Sequence, residues 1–346
     1  MRILGIVSSS IYKLKTIFLR VASTSPRVYA YQWINGFGSK YADPATVPSS
    51  PSDPTGAGKS IEITPDGTGV VLTSSSTPFI HGYPWTSTGW GTKVSNPATI
   101  PTASTSGVNF NPTGTTVILG SYSSPFIFAY PWSSSGFGTK YANPSTLPGS
   151  IGFRPVFNSA GTEIVMGLDS APRIYAISWS SGFGTKRSDP ATLPPNSSYS
   201  TAFNHNGTVV ATANYATPYI GAWAYTTSFG TKYADPAANG GGESWCLNFN
   251  PTGTVLVAGI RSVSPYIIAW PWSSGFGTKY ANPATIPTGG VFDVKFDSTG
   301  TLLAVGINAS PWVHVYNWSS GFGTKYANLT VLPTTPVAVS GVAWKE

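Results

Sequence analysis

Asp, Glu, Lys and Arg together make up only 9% of this 346-residue chain, where an ordinary globular protein has about a quarter. It is short of surface charge. Cysteine is scarcer still: the single Cys246 excludes an intramolecular disulfide and any thiolate metal cluster, and so carries no message about redox compartment. No apolar run approaches the roughly 18 residues that cross a bilayer as a helix, so no membrane partner is expected. Met1 to Val7 has an Arg and a brief apolar stretch that breaks at Ser8-Ser9-Ser10, and it reads as a poor signal peptide. The 12 acidic residues and 3 histidines fall at no metal-ligand spacing, so neither a metal nor another cofactor is expected.

What the chain does have is turn formers, aromatics and repetition. Its 38 Gly and 30 Pro amount to about a fifth of the residues, below the level that signals disorder, and regularly spaced aromatics oppose disorder too. The stretch Gly275-Phe276-Gly277-Thr278-Lys279-Tyr280-Ala281-Asn282-Pro283 recurs from end to end, and its lysine serves as a ruler. Equivalent lysines stand at 40, 93, 140, 186, 232, 279 and 325, at intervals of 53, 47, 46, 46, 47 and 46 residues. A fixed period of this size means one supersecondary unit stacked on copies of itself until a continuous core exists.

The copy from Trp245 to Ala281 shows the unit. Cys246-Leu247-Asn248-Phe249 alternates as a half-buried strand, Asn250-Pro251-Thr252-Gly253 is a turn, and Thr254 to Gly259 is a short apolar β-rich run. After Ser264-Pro265, Tyr266 to Trp270 is a third strand stopped by Pro271, and Phe276 to Ala281 is a fourth. The period has no room for an ordinary helix. Four short antiparallel strands per repeat of about 40 to 50 residues is the pattern of a β-propeller blade. The expected fold is all-β: a seven-bladed β-propeller of four-stranded antiparallel blades, its ring closed by pairing of the N- and C-terminal strands.

The turn in Asn109-Phe110-Asn111-Pro112-Thr113-Gly114, and again in Lys295-Phe296-Asp297-Ser298-Thr299-Gly300, resembles the aromatic-Ser-Pro-Asp-Gly turn between the first two strands of WD-repeat blades. The third strand ending in Trp, as in Ala129-Tyr130-Pro131-Trp132, stands where those repeats carry their Trp-Asp pair. No Asp follows that Trp and no Gly-His pair precedes the first strand, so the resemblance, which covers residues 16 to 344, implies the fold and not an activity. The near-verbatim copies also resemble propeller arrays encoded by tailed bacteriophages and environmental bacteria, which implies a virion or bacterial-surface setting.

Residues 1–14 form an N-terminal arm and 15–346 a single propeller. Its blades are 16–42 completed by 337–344, then 60–94, 107–141, 153–187, 199–233, 245–281 and 291–327. The missing innermost strand of the first blade is supplied by Val339 to Trp344.

Function sits on whatever differs between copies. Four positions before the repeat aromatic of the innermost strand, consecutive blades place Phe153, Tyr199, Trp245 and Phe292, near a mouth of the axial channel. The loop between second and third strands varies as well, with Tyr122, Asp169, Tyr215, Arg261 and Asn308, and beyond its Pro stand Arg173 and Trp312. Aromatics beside Arg and Asp on one rim suit a protein or glycan partner as well as they suit packing between blades. The seven repeat lysines, out of 19 basic residues and a net charge of +7, are spread around the outer edge. That dispersal fits protection of an edge strand better than it fits nucleic acid, which needs a one-sided patch.

Catalytic groups are sparse. His81, His205 and His314 read as solvated or strand-surface residues in different slots, and the acids recur in no pair suited to general acid and base work. Neighbouring blades could bring Glu243, Asp293 and Arg261 together at the channel mouth. The expected function is a non-enzymatic interaction or structural protein presenting its loop face to a protein or glycan. The alternatives are a lectin-like glycan binder and a propeller hydrolase or lactonase using acids at the channel. The sequence does not specify an oligomeric state.

Overall fold

A computed structural model describes residues 14–22, 25–48, 60–331 and 338–346 of the chain. Among these the only regular element is the β-strand, arranged as seven antiparallel sheets around an axis. Six sheets have four strands; in the sixth blade the outermost strand shrinks to a single bridge between Trp272 and Phe276. The second strand of each blade is apolar and buried on both faces, as in Val255–Ile260 and Leu302–Ile307, because each sheet is covered by a neighbour on either side.

Ring closure follows from the split blade. Lys15–Ala22 pairs on one side with Val28–Trp33 and on the other with Ala338–Lys345, in a register that sets Ile17 opposite Trp344 and Leu19 opposite Val342. The arm at residues 1–13, and Val337 at the start of the closing segment, lie outside the described residues.

Blades are joined by a repeated aromatic wedge. Trp272, at the end of its third strand, meets Phe276 edge-on at 4.9 Å, Phe249 at 5.6 Å and Tyr233 of the preceding blade at 5.2 Å. These aromatics are core, in the edge-to-face geometry that their quadrupoles favour. Tyrosine hydroxyls tie successive blades as well: Tyr130 donates to Thr99 O at 2.9 Å and Tyr316 to Thr285 O at 2.7 Å, each acceptor in the outer loop of the blade before. In the fourth blade Ile177 takes that slot, and Tyr175, two residues earlier, donates to Thr146 O at 2.6 Å instead.

The repeat lysine has a local task. Lys279 Nζ donates to Asn282 Oδ1 at 2.7 Å and to Tyr280 O at 3.0 Å, and Lys140 and Lys325 repeat the arrangement. Two histidines differ from expectation. His81 and His314 occupy the same slot, second in the third strand, and are 2% and 1% exposed rather than solvated. Their slot faces the neighbouring blade, so the stacking that buries Phe128 and Tyr175 at the same position buries them.

The innermost strands line the channel and latch to one another. Ser60 Oγ accepts Val108 N at 2.7 Å, Asn109 Oδ1 accepts Phe157 N at 2.9 Å, and Asp293 Oδ2 accepts Val342 N at 2.8 Å. Side chains one and three positions before the repeat aromatic thus satisfy N–H groups that the next blade's edge would otherwise leave unpaired.

Candidate active site in the axial channel

The predicted rim residues fall into two groups. Phe153, Tyr199, Trp245 and Phe292 run as a chain of ring contacts at 5.2, 5.1 and 5.0 Å. Tyr122 extends the chain from Phe153 and Tyr215 from Tyr199, at 6.0 and 6.2 Å. Arg261 lies over Trp245 at 4.1 Å, and Glu243 accepts Trp245 Nε1 at 3.0 Å while standing 3.6 Å from Arg261. Phe153, Trp245 and Phe292 are buried, and the cluster plugs one end of the channel.

The other group stays apart. Asp169 accepts Ser197 Oγ at 3.0 Å, Arg173 donates to Asn196 Oδ1 at 3.1 Å, and Asn308 is exposed in its own loop. Trp312 packs half-buried against the core between the seventh and first blades. Asp293 does not join Glu243 and Arg261 as the sequence suggested; its partner is Arg154, which faces it across the channel.

Toward the other end of the same strands lies a cavity of about 320 Å³, whose lining includes Glu62, Asn109, Arg154, His205, Asp293 and Lys295. Arg154 enters it from a β-bulge. The register between Gly152–Phe157 and Glu163–Leu168 slips between Phe153 and Val156, and Arg154 has φ 41°, in the left-handed region where a side chain is strained. Gly107 in the adjacent blade makes the room: a Cβ there would stand 2.5 Å from Arg154 Cα and 2.6 Å from its Cγ. The guanidinium then spans the channel, with Nη1 2.5 Å from Asp293 Oδ1 and Nη2 2.8 Å from Phe292 O.

A second ion pair lies nearby. Lys295 Nζ stands 3.1 and 3.0 Å from the two Glu62 carboxylate oxygens, although these residues belong to the seventh and second blades. The matching position of the intervening first blade holds Ala343, too short to come between them. Both side chains are deep in the ring yet reach solvent, at 30% and 17% exposure for Lys295 and Glu62. Burial pushes the Glu62 carboxyl above the ordinary range; Lys295 pulls it back, and Asp293 adds to the upward push. Burial opposes the Lys295 ammonium, but Glu62 and then Asp293 outweigh it and raise its pKa. The pair therefore holds protons tightly, which suits a carboxylate that must accept one.

His205, one of the three histidines read as solvated or strand-surface, is exposed and lines the rim of this cavity. Cys246 is buried beside the same layer, and burial raises its thiol well above the ordinary value, so it is no nucleophile. Among the described residues no group of His, Cys, Asp and Glu could hold a metal ion. Most of the 12 acids are dispersed, but the curvature of the ring converges two of them, Glu62 and Asp293, with two cations on one cavity.

No protein-family model and no curated protein matches the sequence. Solved structures do match. The chain resembles a protein of Bacteroides uniformis described as a candidate 6-phosphogluconolactonase, at 17% identity and TM-score 0.68, over 96% of this chain and 99% of that one. It resembles the periplasmic gluconolactonase PpgL of Pseudomonas aeruginosa at 12% identity and TM-score 0.69, over 96% and 99%. A protein of Lactobacillus plantarum aligns at 13% identity and TM-score 0.70, over 96% and 100%. At these identities the likeness shows the propeller fold.

These findings correct one expectation. The reading as a non-enzymatic interaction or structural protein does not stand, because solved structures that align end to end with this chain are named as lactonases. The lactonase alternative is the better supported.

Proposed function

We propose that the chain is a hydrolase of sugar lactones, working in the axial cavity. The observation that carries this reading is the convergence of Glu62, Lys295, Arg154 and Asp293, drawn from three blades, on one solvent-reached cavity. Strain at Arg154 and the glycine that accommodates it are features that packing alone does not require. The names of the neighbouring structures supply the substrate class.

The chemistry is addition of water to a cyclic ester. Glu62 takes a proton from water as its oxygen attacks the lactone carbonyl, and the Lys295 ammonium faces the negative charge that develops on the carbonyl oxygen. Collapse of the tetrahedral intermediate breaks the bond to the ring oxygen. That oxygen leaves as an alkoxide and takes a proton from the now neutral Glu62 carboxyl, giving an open-chain hydroxy acid that ionises in water. Asp293, with one oxygen latched to Val342 N and the other on Arg154, positions the guanidinium against the substrate's hydroxyl groups. The first turns of the sixth and seventh blades support a likeness to WD repeats in turn chemistry: Asn250 Oδ1 and Asp297 Oδ1 accept N–H groups of Val255 and Leu302 at 2.9 Å.

The test is titration of acid release from glucono-δ-lactone and its 6-phosphate, by wild-type protein and Glu62→Gln. Release well above the spontaneous rate, lost in the variant, supports the proposal. A wild-type rate no faster than buffer on either lactone refutes it.

A further inference from the structure

The Glu62–Lys295 pair borders a second space. Behind it, in the seam where the closing strand passes between the seventh and second blades, lies a cavity of about 620 Å³. It is bounded by the Thr64–Gly67 turn, by Phe296 and Ser298, and by Trp344 to Glu346. Glu62 and Lys295 line both this seam cavity and the axial one. The reason is again the short Ala343 of the first blade, across which the ion pair forms and so borders both spaces.

We infer that the seam is a subsite for a second sugar unit, so that the preferred substrate is a glycosylated aldonolactone rather than a single ring. This deepens the lactonase reading and rests on it. A substrate whose carbonyl sits at Glu62 and Lys295 has room on both sides of the pair, and the seam is the larger of the two spaces. The lining fits a sugar better than an acyl tail. Thr64, Asp66, Ser298, Lys345 and Glu346 offer hydrogen-bonding groups around the apolar surfaces of Pro65 and Trp344, the mixture that a pyranose ring presents in mirror image.

The closing experiment compares glucono-δ-lactone with lactobiono-δ-lactone, which carries a galactosyl unit on the same lactone. Ser298→Trp is the variant: Ser298 is exposed and lines the seam, away from the proposed reacting groups. The expected result is a kcat/KM about tenfold higher for the glycosylated lactone, with Ser298→Trp removing that advantage and leaving the single-ring rate unchanged. Equal rates on the two lactones, or a variant that lowers both alike, overturns the seam assignment and leaves the lactonase reading intact. If neither lactone is hydrolysed the lactonase reading fails, and calorimetry with lactobionate and gluconate decides the seam by itself. Tighter lactobionate binding that Ser298→Trp abolishes upholds it, and equal binding overturns it. Should Ser298→Trp not fold, wild-type binding of the two acids still decides: a preference for lactobionate upholds the seam and equal affinity overturns it.

Discussion

Arg154 and Asp293 are 139 positions apart in sequence and meet across the channel, Nη1 to Oδ1 at 2.5 Å, with both side chains almost wholly buried. The contact joins the fourth blade to the seventh, and through Asp293 Oδ2 to Val342 of the closing strand. It is therefore a tie across the ring as well as part of the cavity. Because an uncompensated buried charge is costly, removing one partner should destabilise more than removing both. Sister blades supply a neutral replacement, since Ser60 and Ser200 stand in the same slot. Arg154→Ser should cost about 3 kcal/mol, and Arg154→Ser with Asp293→Ser less than that. Chemical denaturation of the two singles and the double checks this. A double variant as unstable as the sum of the singles would contradict it.

Gly107 offers a subtler handle on the same contact. An added Cβ would collide with the Arg154 backbone and side chain, and the backbone cannot yield as a flexible side-chain tip can. Gly107→Ala should displace the guanidinium and lower hydrolysis while leaving the fold cooperative. The measurement is a crystal structure alongside the lactone assay; an unmoved Arg154 would show that the bulge has slack.

The buried histidines make an acid-sensitivity prediction. His81 has no partner for either ring nitrogen among the described residues, and burial, aided by the charges of Lys93, Arg20 and Arg27, lowers its pKa to about 3. His314, lowered to about 4 by burial and then Lys325, behaves alike. Below the ordinary histidine value of about 6.5 the unfolded chain takes up protons that the native state refuses, so stability falls as pH drops from there toward 4. Phe128 fills the same slot in the next blade. His81→Phe should therefore raise the melting temperature at neutral pH and flatten its decline between pH 6.5 and 4, both readable by scanning calorimetry.

How much of this is legible in the chain itself differs between fold and site. The lysine spacing, the turn at Asn250 to Gly253 and the orphaned Val339 to Trp344 segment are enough for a closed ring, because each blade repeats the same burial problem with the same residues. The site escapes the sequence for the opposite reason. Glu62, Arg154, Asp293 and Lys295 sit one or three positions before the repeat aromatic, in columns otherwise filled by Asn109, Val156, Ala202, Asn248 and Ala343 or by Ser60, Gly107, Ser200, Cys246 and Gly341. Charges alone in such columns are a signal, but the more conspicuous column is the one holding Phe153, Tyr199, Trp245 and Phe292, which proves to be a packed cluster at the other end of the channel. Nothing local in the sequence says that Lys295 can reach Glu62 past a whole blade.

Closure should be all-or-none. The closing strand Ala338–Lys345 covers Lys15–Ala22 and seats Trp344 against Trp33 at 5.3 Å. Deleting 338–346 would expose an unpaired edge and open the core between the seventh and first blades. Loss of a cooperative thermal transition is expected; an unchanged melting temperature would contradict the role given to this strand. By contrast Lys279→Ala, which breaks a loop contact near the surface, should cost no more than about 1 kcal/mol.

The proposed role of Glu62 has a pH signature of its own. A general base works only when deprotonated, so the rate should fall as pH drops through a pKa held above the usual glutamate value of about 4.3 by burial. Lys295 pulls that pKa down, and Lys295→Met removes the pull. The variant should therefore lose rate through the missing cation and, in addition, shift its acidic limb to higher pH. Glu62→Gln should abolish the limb altogether and leave a slow, pH-independent residue, reduced by about 10² to 10⁴. A merely structural ion pair would lower rates in both variants through instability and leave the shape of the pH profile unchanged, so pH-stat profiles of folded Lys295→Met and Glu62→Gln separate the two roles.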